Sequence, residues 1–271
     1  MTIFQGIISG PPGTAKTGLL CGLANAGYRI IRAAFEPGDE VFRAFCTPEG
    51  LERVHTVVFE DNWEEADNGL TRIAKGMTEF ESFLYNGKVG KEQPFGRPSE
   101  WGSDTVLVYD TLTSMGEVSE SRALKLNSST REGRHLWQAA QDQEAACQVA
   151  MGKRRNHHFI CLAHQRLISP KAETGYKDET ELQKQVKRER ADLEETGFFP
   201  TAVTPGIARN FVRMFPFALL TEMDYEAKKT CNRVLRTRAV PGYQVKCPVV
   251  VEDKLPAETA LATIFKALGN G

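Results

Sequence analysis

The sequence lacks the features that would mark a membrane protein, a disulfide-stabilised protein or a protein that binds nucleic acid through its overall charge. Its 271 residues contain no apolar run near the roughly 20 residues that a membrane-spanning helix needs. The six cysteines are scattered without a C-x-x-C pair, which favours reduced thiols over disulfides or a zinc site. The formal net charge is only −1, so any nucleic-acid contact must come from a local basic patch. Strand-like residues follow the first methionine directly, so we expect no signal peptide, no membrane contact and a cytoplasmic location.

What the chain does contain is the composition and the alternating pattern of an α/β protein. Apolar residues make up 41% and charged residues 25%, which is ordinary for a globular protein with a sizeable core. Strand-like and helix-like segments alternate, which predicts a mainly parallel sheet with flanking crossover helices. The predicted parallel strands span residues 3–9, 28–35, 54–60, 105–110 and 158–163. The predicted antiparallel strands near the C-terminus span residues 217–223, 233–240 and 245–252.

Helical periodicity and charge divide the rest of the chain. Residues 170–195 are strongly charged, which predicts an exposed helix between loops. We expect one domain over residues 1–271, with a core over 1–168, a charged insertion over 169–205, and C-terminal strands and a helix over 206–271. Helices are predicted from residue 16 onward and over residues 39–45, 63–83, 114–127, 134–155 and 256–268.

The first predicted strand runs into a pattern that is typical of a phosphate-binding loop. Residues 10–17 fit the pattern G-x-x-x-x-G-K-[ST], except that Ala15 stands in place of the second glycine. Backbone N–H groups of such loops converge on phosphate oxygens. We expect Lys16 to contact the β- and γ-phosphates of ATP and the Thr17 hydroxyl to bind Mg²⁺. Alanine does not readily take a positive φ, so we expect the local loop geometry to differ. The predicted nucleotide-binding residues are Gly10, Pro11, Pro12, Gly13, Thr14, Ala15, Lys16 and Thr17.

A second motif places a carboxylate at the end of a later strand. The mostly apolar residues 106–109 lead into Asp110, about a hundred residues after the phosphate loop. A carboxylate at the carboxyl end of such a strand faces the phosphate loop and holds the Mg²⁺ shell. We therefore predict Asp110 and Thr17 as the metal-binding residues.

In their order along the chain, these motifs resemble the RecA-like P-loop ATPases. The likeness is greatest to the phage-encoded RecA-like ATPases of single-strand annealing and recombination. It extends from residue 3 to about residue 255 and includes VFEDNW at 58–63, YDTLT at 109–113 and LAHQ at 162–165. Two features depart from the family pattern: Ala15 replaces the loop glycine, and the charged insertion matches no family motif.

The resemblance implies a RecA-like P-loop NTPase core with a C-terminal antiparallel extension. Such a protein binds ATP with Mg²⁺, hydrolyses it and assembles into a homo-oligomeric ring or filament. The resemblance also implies a role in phage DNA recombination or replication, with single-stranded DNA as a partner. If the chain is phage-encoded, its location would be the host cell cytoplasm.

The resemblance further implies roles for polar residues at strand ends. A catalytic glutamate is expected after the second strand, where Glu36 would orient and deprotonate the water that attacks the γ-phosphate. The alternatives are that Glu36 simply begins a turn, or that Glu60 or Asp61, after the next strand, takes the role. Gln165 is expected to sense the γ-phosphate, because its amide can donate and accept. It is favoured over His164.

Two arginines near the C-terminus are candidate trans-acting residues. Arg236 and Arg238 alternate on a predicted strand, so they share one face. The resemblance implies that they act as arginine fingers on the nucleotide of a neighbouring subunit. A solvated strand face is a nearly equal alternative.

Two other functions are compatible with the phosphate loop. The first is a nucleotide-gated interaction or loader ATPase that hydrolyses slowly, docks a protein partner through the charged insertion and does not bind DNA. The second is a small-molecule kinase, but the chain shows no lid arginine cluster. Stimulation of ATP hydrolysis by single-stranded DNA would separate the DNA-binding enzyme from the first alternative.

Overall fold

The structure is a computed structural model that describes residues 2–36, 38–66, 69–126, 134–152, 155–168, 197–200, 211–224 and 232–269, within which the elements are numbered. The strands are β1 (Gln5–Ser9), β2 (Arg29–Ala34), β3 (Val54–Val58), β4 (Asn62–Ala66), β5 (Gly69–Ile73), β6 (Thr105–Asp110), β7 (His158–Ala163), β8 (Gln165–Ile168), β9 (Gly197–Pro200), β10 (Phe217–Asp224), β11 (Asn232–Arg236) and β12 (Lys254–Pro256). The helices are α1 (Gly18–Asn25), α2 (Glu40–Phe45), α3 (Pro48–Leu51), α4 (Gly76–Asn86), α5 (Leu112–Leu126), α6 (Arg134–Ala150) and α7 (Ala257–Gly269). Short 3₁₀ helices span Pro98–Glu100 and Val212–Met214.

Eight strands form one sheet in the order β12-β11-β10-β1-β7-β6-β2-β3. Neighbouring strands are parallel from β3 through to β10. The last two pairs, β10 with β11 and β11 with β12, are antiparallel. The predicted α/β fold class, a mainly parallel sheet with an antiparallel C-terminal extension, is therefore confirmed.

The sheet is covered on both faces, which explains why its central strands read as continuous apolar runs. Every residue of β6 and β7 is buried, as expected for parallel strands with helices on both sides. Successive side chains of β1 alternate between two cores. Ile7 joins the cluster that includes Phe80 and Phe83 of α4, and Ile8 joins the cluster that includes Leu23 of α1 and Ile264 of α7.

The parallel strands bring the candidate functional residues to one edge of the sheet. Because β1, β2, β6 and β7 run in the same direction, their carboxyl ends lie together. In open α/β sheets the crevice outside these ends is where ligands bind. Asp110 is the last residue of such a strand, and the phosphate loop, Glu36 and Gln165 follow the ends of the others.

The predicted helix over residues 63–83 is wrong in its first half. The chain instead forms the antiparallel hairpin of β4 and β5, and the helix begins only at Gly76. The buried Asp61 carboxylate accepts hydrogen bonds from Arg72 Nε at 2.9 Å and from the backbone nitrogens of Lys75 and Gly76 at 3.0 and 3.1 Å. This one side chain fixes both the second strand of the hairpin and the start of the helix. The helical spacing of apolar residues in the sequence therefore spanned a hairpin turn and not a continuous helix.

Two predictions near the C-terminus also need correction. The strand at 217–223 is β10, but it pairs parallel with β1 and antiparallel only with β11. The strand predicted over residues 245–252 is wrong, because that segment contributes only an isolated bridge between Lys246 and Ala218. Pro248 lacks the backbone donor that a ladder needs, and the edge strand is β12 instead. The predicted strand over 233–240 ends at Arg236.

The remaining predictions concern the insertion and membrane contact. Most of the charged insertion, including the helix predicted over residues 170–195, lies outside the described residues; β9 is the described part. Among the helices of the described ranges, none is long and apolar enough to cross a membrane.

Candidate nucleotide-binding site

The phosphate loop leaves β1 at Gly10 and turns into α1. A Cβ at Gly10 would collide with the side chain of Thr221 on β10, so this position has no room for a larger residue. Gly13 and Ala15 have positive φ values of 79° and 68°. The expectation that Ala15 changes the loop geometry is therefore wrong. The alanine itself takes the left-handed conformation, at some cost in backbone strain.

Within the loop, the polar side chains contact the loop's own backbone. Lys16 Nζ donates hydrogen bonds to the carbonyl oxygens of Gly10 at 2.9 Å and Pro11 at 2.8 Å. Thr14 Oγ1 donates to the Pro11 carbonyl at 2.7 Å and lies 2.7 Å from Thr221 Oγ1. Lys16 is 6% exposed. A buried ammonium held by neutral carbonyls is suited to bind an anion, because a phosphate would supply its missing counter-charge.

The pKa of Lys16 reports on the same environment. Burial lowers this pKa to about 8, although the carboxylates of Asp110 and Glu36 act in the opposite direction. Both carboxylates are therefore close enough to influence the phosphate loop. The structure brings together Lys16 and the two acidic residues that the sequence singled out.

Asp110 ends β6 in a fully buried position. Its Oδ2 accepts a hydrogen bond from Thr17 Oγ1 at 3.2 Å and another from Arg32 Nε at 2.7 Å. Its Oδ1 is buried and has no hydrogen-bond partner among the residues that the structure describes. Burial raises the pKa of Asp110, whereas Arg32 lowers it. One carboxylate oxygen is thus held by the protein, and the other is buried without a partner among the described residues.

The contact between Thr17 and Asp110 fits a Mg²⁺ ion completed by phosphate and water. Mg²⁺ takes oxygen ligands, usually one or two carboxylates together with waters and substrate phosphates rather than an all-protein cage. The Asp110 carboxylate and the Thr17 hydroxyl that contacts its Oδ2 match this preference. Within the described ranges, no group of three or more His, Cys, Asp or Glu side chains could hold a metal ion alone. The phosphates would have to supply the remaining ligands.

Arg32 also belongs to the site, and the sequence analysis missed it. It lies within β2 and is 1% exposed. Besides Asp110, it contacts Asp39 Oδ1 through Nη1 at 2.9 Å and the Glu36 carbonyl through Nη2 at 3.2 Å. The available signal was an arginine inside an otherwise apolar strand, since a buried charge is costly unless it is paired.

Glu36 lies two residues after the end of β2 and is half-buried. Its Oε2 accepts a hydrogen bond from Ser114 Oγ at 2.6 Å, a contact that connects the segment after β2 to the first turn of α5. This placement fits a site residue better than a residue that only begins a turn. Of the two substitutes, Asp61 is already committed to the hairpin through its three hydrogen bonds, and Glu60 is exposed.

His164 and Gln165 follow β7 at the same edge of the sheet. Gln165 Nε2 donates to Ser9 Oγ at 3.2 Å, and the backbone nitrogen of His164 donates to Thr113 Oγ1 at 3.1 Å. Gln165 Oε1 and His164 Nδ1 are buried without a hydrogen-bond partner in the described part of the chain. Burial and the charge of Lys16 lower the pKa of His164. Both side chains can therefore respond to a ligand, and the preference for Gln165 stays a prediction.

Arg236 and Arg238 lie on the antiparallel extension rather than at the phosphate loop. Arg236 Nε pairs with Glu222 Oε1 at 2.6 Å, and Arg238 Nε pairs with Asp253 Oδ1 at 2.6 Å. Arg238 is 67% exposed at its side chain. None of their hydrogen bonds within the described residues reaches the loop. Their action on a neighbouring subunit stays a prediction.

Comparison with known proteins adds little beyond the fold. No protein-family profile matches the chain, and no curated protein matches it. Solved structures do match, among them an ATPase from the type III secretion system of pathogenic bacteria, with 14% identity and a TM-score of 0.42. The match covers 83% of this chain and 54% of that one, so this chain spans about half the length of the matched protein. A likeness this distant says nothing about substrates or partners.

The fold and the site together define the class of this protein. A phosphate loop follows β1, and the strand that ends in Asp110 lies one strand away, beyond β7. The sheet is mainly parallel, with helices packed on both faces. This arrangement matches that of a P-loop NTPase core.

Proposed function

We propose that this chain is a Mg²⁺-dependent RecA-like ATPase, and that residues 1–271 form its single domain. The observation that carries the proposal is the 3.2 Å contact between Thr17 and Asp110 beside Lys16. Asp110 Oδ1 also has no hydrogen-bond partner among the described residues. A lysine, a hydroxyl and a carboxylate in this arrangement match the recurring parts of phosphoryl-transfer sites.

Binding would begin with a change of partners for Lys16. Its ammonium would leave the carbonyl oxygens of Gly10 and Pro11 for the β- and γ-phosphates of ATP, which carry full negative charge. Thr17 and Asp110 would hold the metal. Bound Mg²⁺ neutralises charge that develops on the phosphate oxygens.

Glu36 is the proposed general base. Ser114 donates to one carboxylate oxygen at 2.6 Å and would hold the group in one orientation, which leaves the second oxygen for a water molecule. Gln165 would report the presence of the γ-phosphate through a bridging water, because its Oε1 has no partner in the described chain and can accept a hydrogen bond from that water. Its other end is tied to Ser9 at the end of β1.

Lys16→Ala tests the assignment of the phosphate loop. The substitution removes the loop ammonium, so hydrolysis and Mg²⁺-ATP binding should be lost while the thermal unfolding midpoint stays near that of the wild type. Lys266→Ala, which removes a lysine from α7 away from the loop, is the matched control and should behave as wild type. A Lys16→Ala protein with wild-type affinity and turnover would refute the assignment.

The biological role that we propose rests on the sequence resemblance. The protein would assemble into a ring or filament of identical subunits and act in phage DNA recombination or replication with single-stranded DNA, in the host cytoplasm if phage-encoded. Steady-state hydrolysis should rise when single-stranded DNA is added, and double-stranded DNA serves as the comparison. Hydrolysis that ignores DNA would favour the loader ATPase that acts on a protein partner.

A further inference from the structure

Arg32 is the bulkiest of the fully buried side chains in the described structure. It lies within β2 between β3 and β6, where its neighbours along the strand are apolar core residues. A buried ion pair is weak evidence for stability, because desolvation of the two charges offsets much of their attraction. The reason for a guanidinium at this position is therefore better sought in what it contacts.

All three nitrogens of the Arg32 guanidinium are engaged. Nε donates to Asp110 Oδ2 at 2.7 Å, Nη1 to Asp39 Oδ1 at 2.9 Å and Nη2 to the Glu36 carbonyl at 3.2 Å. The guanidinium carbon also lies 5.8 Å from the centre of the Phe42 ring. A planar fork with fixed donors on three sides holds its acceptors at set distances from one another.

These acceptors belong to the two halves of the candidate site. Asp110 is the carboxylate proposed to hold the metal. Glu36 is the proposed general base, and Asp39 belongs to the segment that follows it. Asp39 is held in addition by Thr56 Oγ1 of β3 at 2.9 Å. The hydrogen bonds of Arg32 thus join the end of β6 to the segment after β2.

We propose that Arg32 is a positioning residue that sets both carboxylates of the site. By holding Oδ2 of Asp110, the oxygen that also accepts from Thr17, it would fix the orientation in which this carboxylate and the Thr17 hydroxyl hold Mg²⁺. By holding the Glu36 carbonyl and Asp39, it fixes the segment from which the Glu36 carboxylate reaches Ser114. Because all three nitrogens of Arg32 bind protein acceptors, the side chain would act through Asp110 and Glu36 and not on the nucleotide itself. This proposal rests on the ATPase function proposed above.

The test compares Arg32→Met, Arg32→Lys and Asp39→Ala in the full-length protein. Arg32→Met removes all three contacts at similar volume. It should raise the Mg²⁺ concentration for half-maximal hydrolysis about 10–100-fold, as loss of a partner that orients a metal ligand does, and lower kcat about 100-fold. Binding of a fluorescent ATP analogue in EDTA should change by no more than about threefold, because the phosphate loop is untouched.

The conservative variant separates the two halves of the proposal. Arg32→Lys keeps a charge that can pair with Asp110, so the Mg²⁺ requirement should recover. A compact ammonium lacks the fork that reaches Glu36 and Asp39, so kcat should stay low. Asp39→Ala breaks the other arm and should lower kcat without changing the Mg²⁺ requirement. Arg29→Met, on the same strand and with its guanidinium over Phe95, is the matched control and should change neither.

Specific outcomes would overturn the proposal. The proposal is overturned if Arg32→Met keeps the wild-type kcat and Mg²⁺ requirement. It is also overturned if Arg32→Met and Arg32→Lys lose analogue binding in EDTA equally, because that result indicates a merely structural role. If Arg32→Met does not fold, Asp39→Ala decides the question, and an unchanged kcat there would overturn the proposal. An inactive wild-type protein would instead refute the ATPase function. The effect of Arg32→Lys on Mg²⁺-dependent analogue binding would then still test the contact with Asp110.

Discussion

The two ends of β7 carry histidines in opposite surroundings. At the amino end, His158 lies 4.4 Å from the ring of Phe265 between centroids, and its Nδ1 accepts a hydrogen bond from the backbone nitrogen of Phe4 at 2.9 Å. Burial lowers the pKa of His158 to about 4. Just past the carboxyl end, His164 is half-buried and close enough to Lys16 for that charge to lower its pKa.

The contrast separates burial that serves the fold from burial that serves a ligand. The amino end buries imidazoles among aromatic rings, where the neutral form is the stable one. The carboxyl end buries ions: Lys16, Arg32 and Asp110 are each no more than 6% exposed. Buried ions cost free energy unless they are paired, so their concentration at one edge marks the edge where a charged ligand completes the pairing.

The largest expected effect concerns arginines that a second subunit would add to the carboxyl edge, which is the edge of the sheet formed by the carboxyl ends of the parallel strands. If Arg236 and Arg238 act in trans, replacing both by alanine should lower hydrolysis by roughly 10³–10⁵-fold, the usual contribution of an arginine finger. Mixing this protein with the Lys16→Ala protein should restore part of the activity, because the second supplies arginines to the intact loop of the first. The steady-state rate of the mixture, measured against total protein concentration, is the readout.

Arg233→Ala provides the matched control for that experiment. Arg233 lies on the same strand, β11, and is exposed, so its loss should leave hydrolysis near the wild-type rate. If two inactive proteins co-assemble and the mixture stays inactive, Arg236 and Arg238 are not the finger.

The next effect separates nucleotide binding from chemistry within the carboxyl edge. Glu36→Gln keeps the shape and the hydrogen bond from Ser114 but removes the base, so kcat should fall about 100-fold while ATP still binds. Glu60→Gln alters the exposed glutamate after β3 and should have no comparable effect. Single-turnover hydrolysis with a parallel binding titration measures both quantities. Full activity in Glu36→Gln together with a loss in Glu60→Gln would transfer the role to Glu60.

The sequence predicted the part of the site that depends on local pattern. The phosphate loop, the strand that ends in Asp110 and the positions of Glu36 and Gln165 follow from apolar runs and the residues that end them, and such runs are local. Arg32 could not be assigned in this way, because its role depends on strand order. Only the placement of β2 beside β6 brings its Nε within 2.7 Å of Asp110.

The same reasoning explains the errors in the fold prediction. Residues 63–73 keep a helical spacing of apolar side chains, but the Asp61 carboxylate stabilises a hairpin through contacts with residues 11 to 15 positions further along. The parallel pairing of β10 with β1 joins strands about two hundred residues apart. No pattern within either segment specifies that partner.

A smaller effect should appear at the amino end of β7 when the pH is lowered. Burial lowers the pKa of His157 and of His158 from 6.5 to about 4. Between pH 6.5 and pH 4 the two histidines therefore bind protons in the unfolded chain but stay neutral in the folded chain. Their contribution to the free energy of unfolding is complete above pH 6.5 and declines as the pH falls toward 4. We expect a loss on the order of 2 kcal/mol for each imidazole.

Urea unfolding between pH 7 and pH 4.5 measures this loss. A His157→Leu variant removes one of the two imidazoles and should reduce the slope of stability against pH over that interval. A replacement at the carboxyl edge, such as Gln165→Ala, should leave the slope unchanged. An unaltered slope in His157→Leu would show that this imidazole does not drive the acid sensitivity.

The smallest effect is expected at Ala15, which belongs to the phosphate loop at the carboxyl edge of the sheet. The alanine holds a φ of 68°, a conformation that costs an L-residue about 1–2 kcal/mol and glycine almost nothing. Ala15→Gly would remove this strain but make the unfolded chain more flexible, which costs about 0.5–1 kcal/mol. The net gain in unfolding free energy should therefore be roughly 0.5–1 kcal/mol. Gly13→Ala makes the opposite change at a φ of 79° with no atom near the added Cβ, so it should lose stability by a similar amount. Urea titration of both variants compares them directly, and a loss of stability in Ala15→Gly would mean that the loop holds Ala15 without strain.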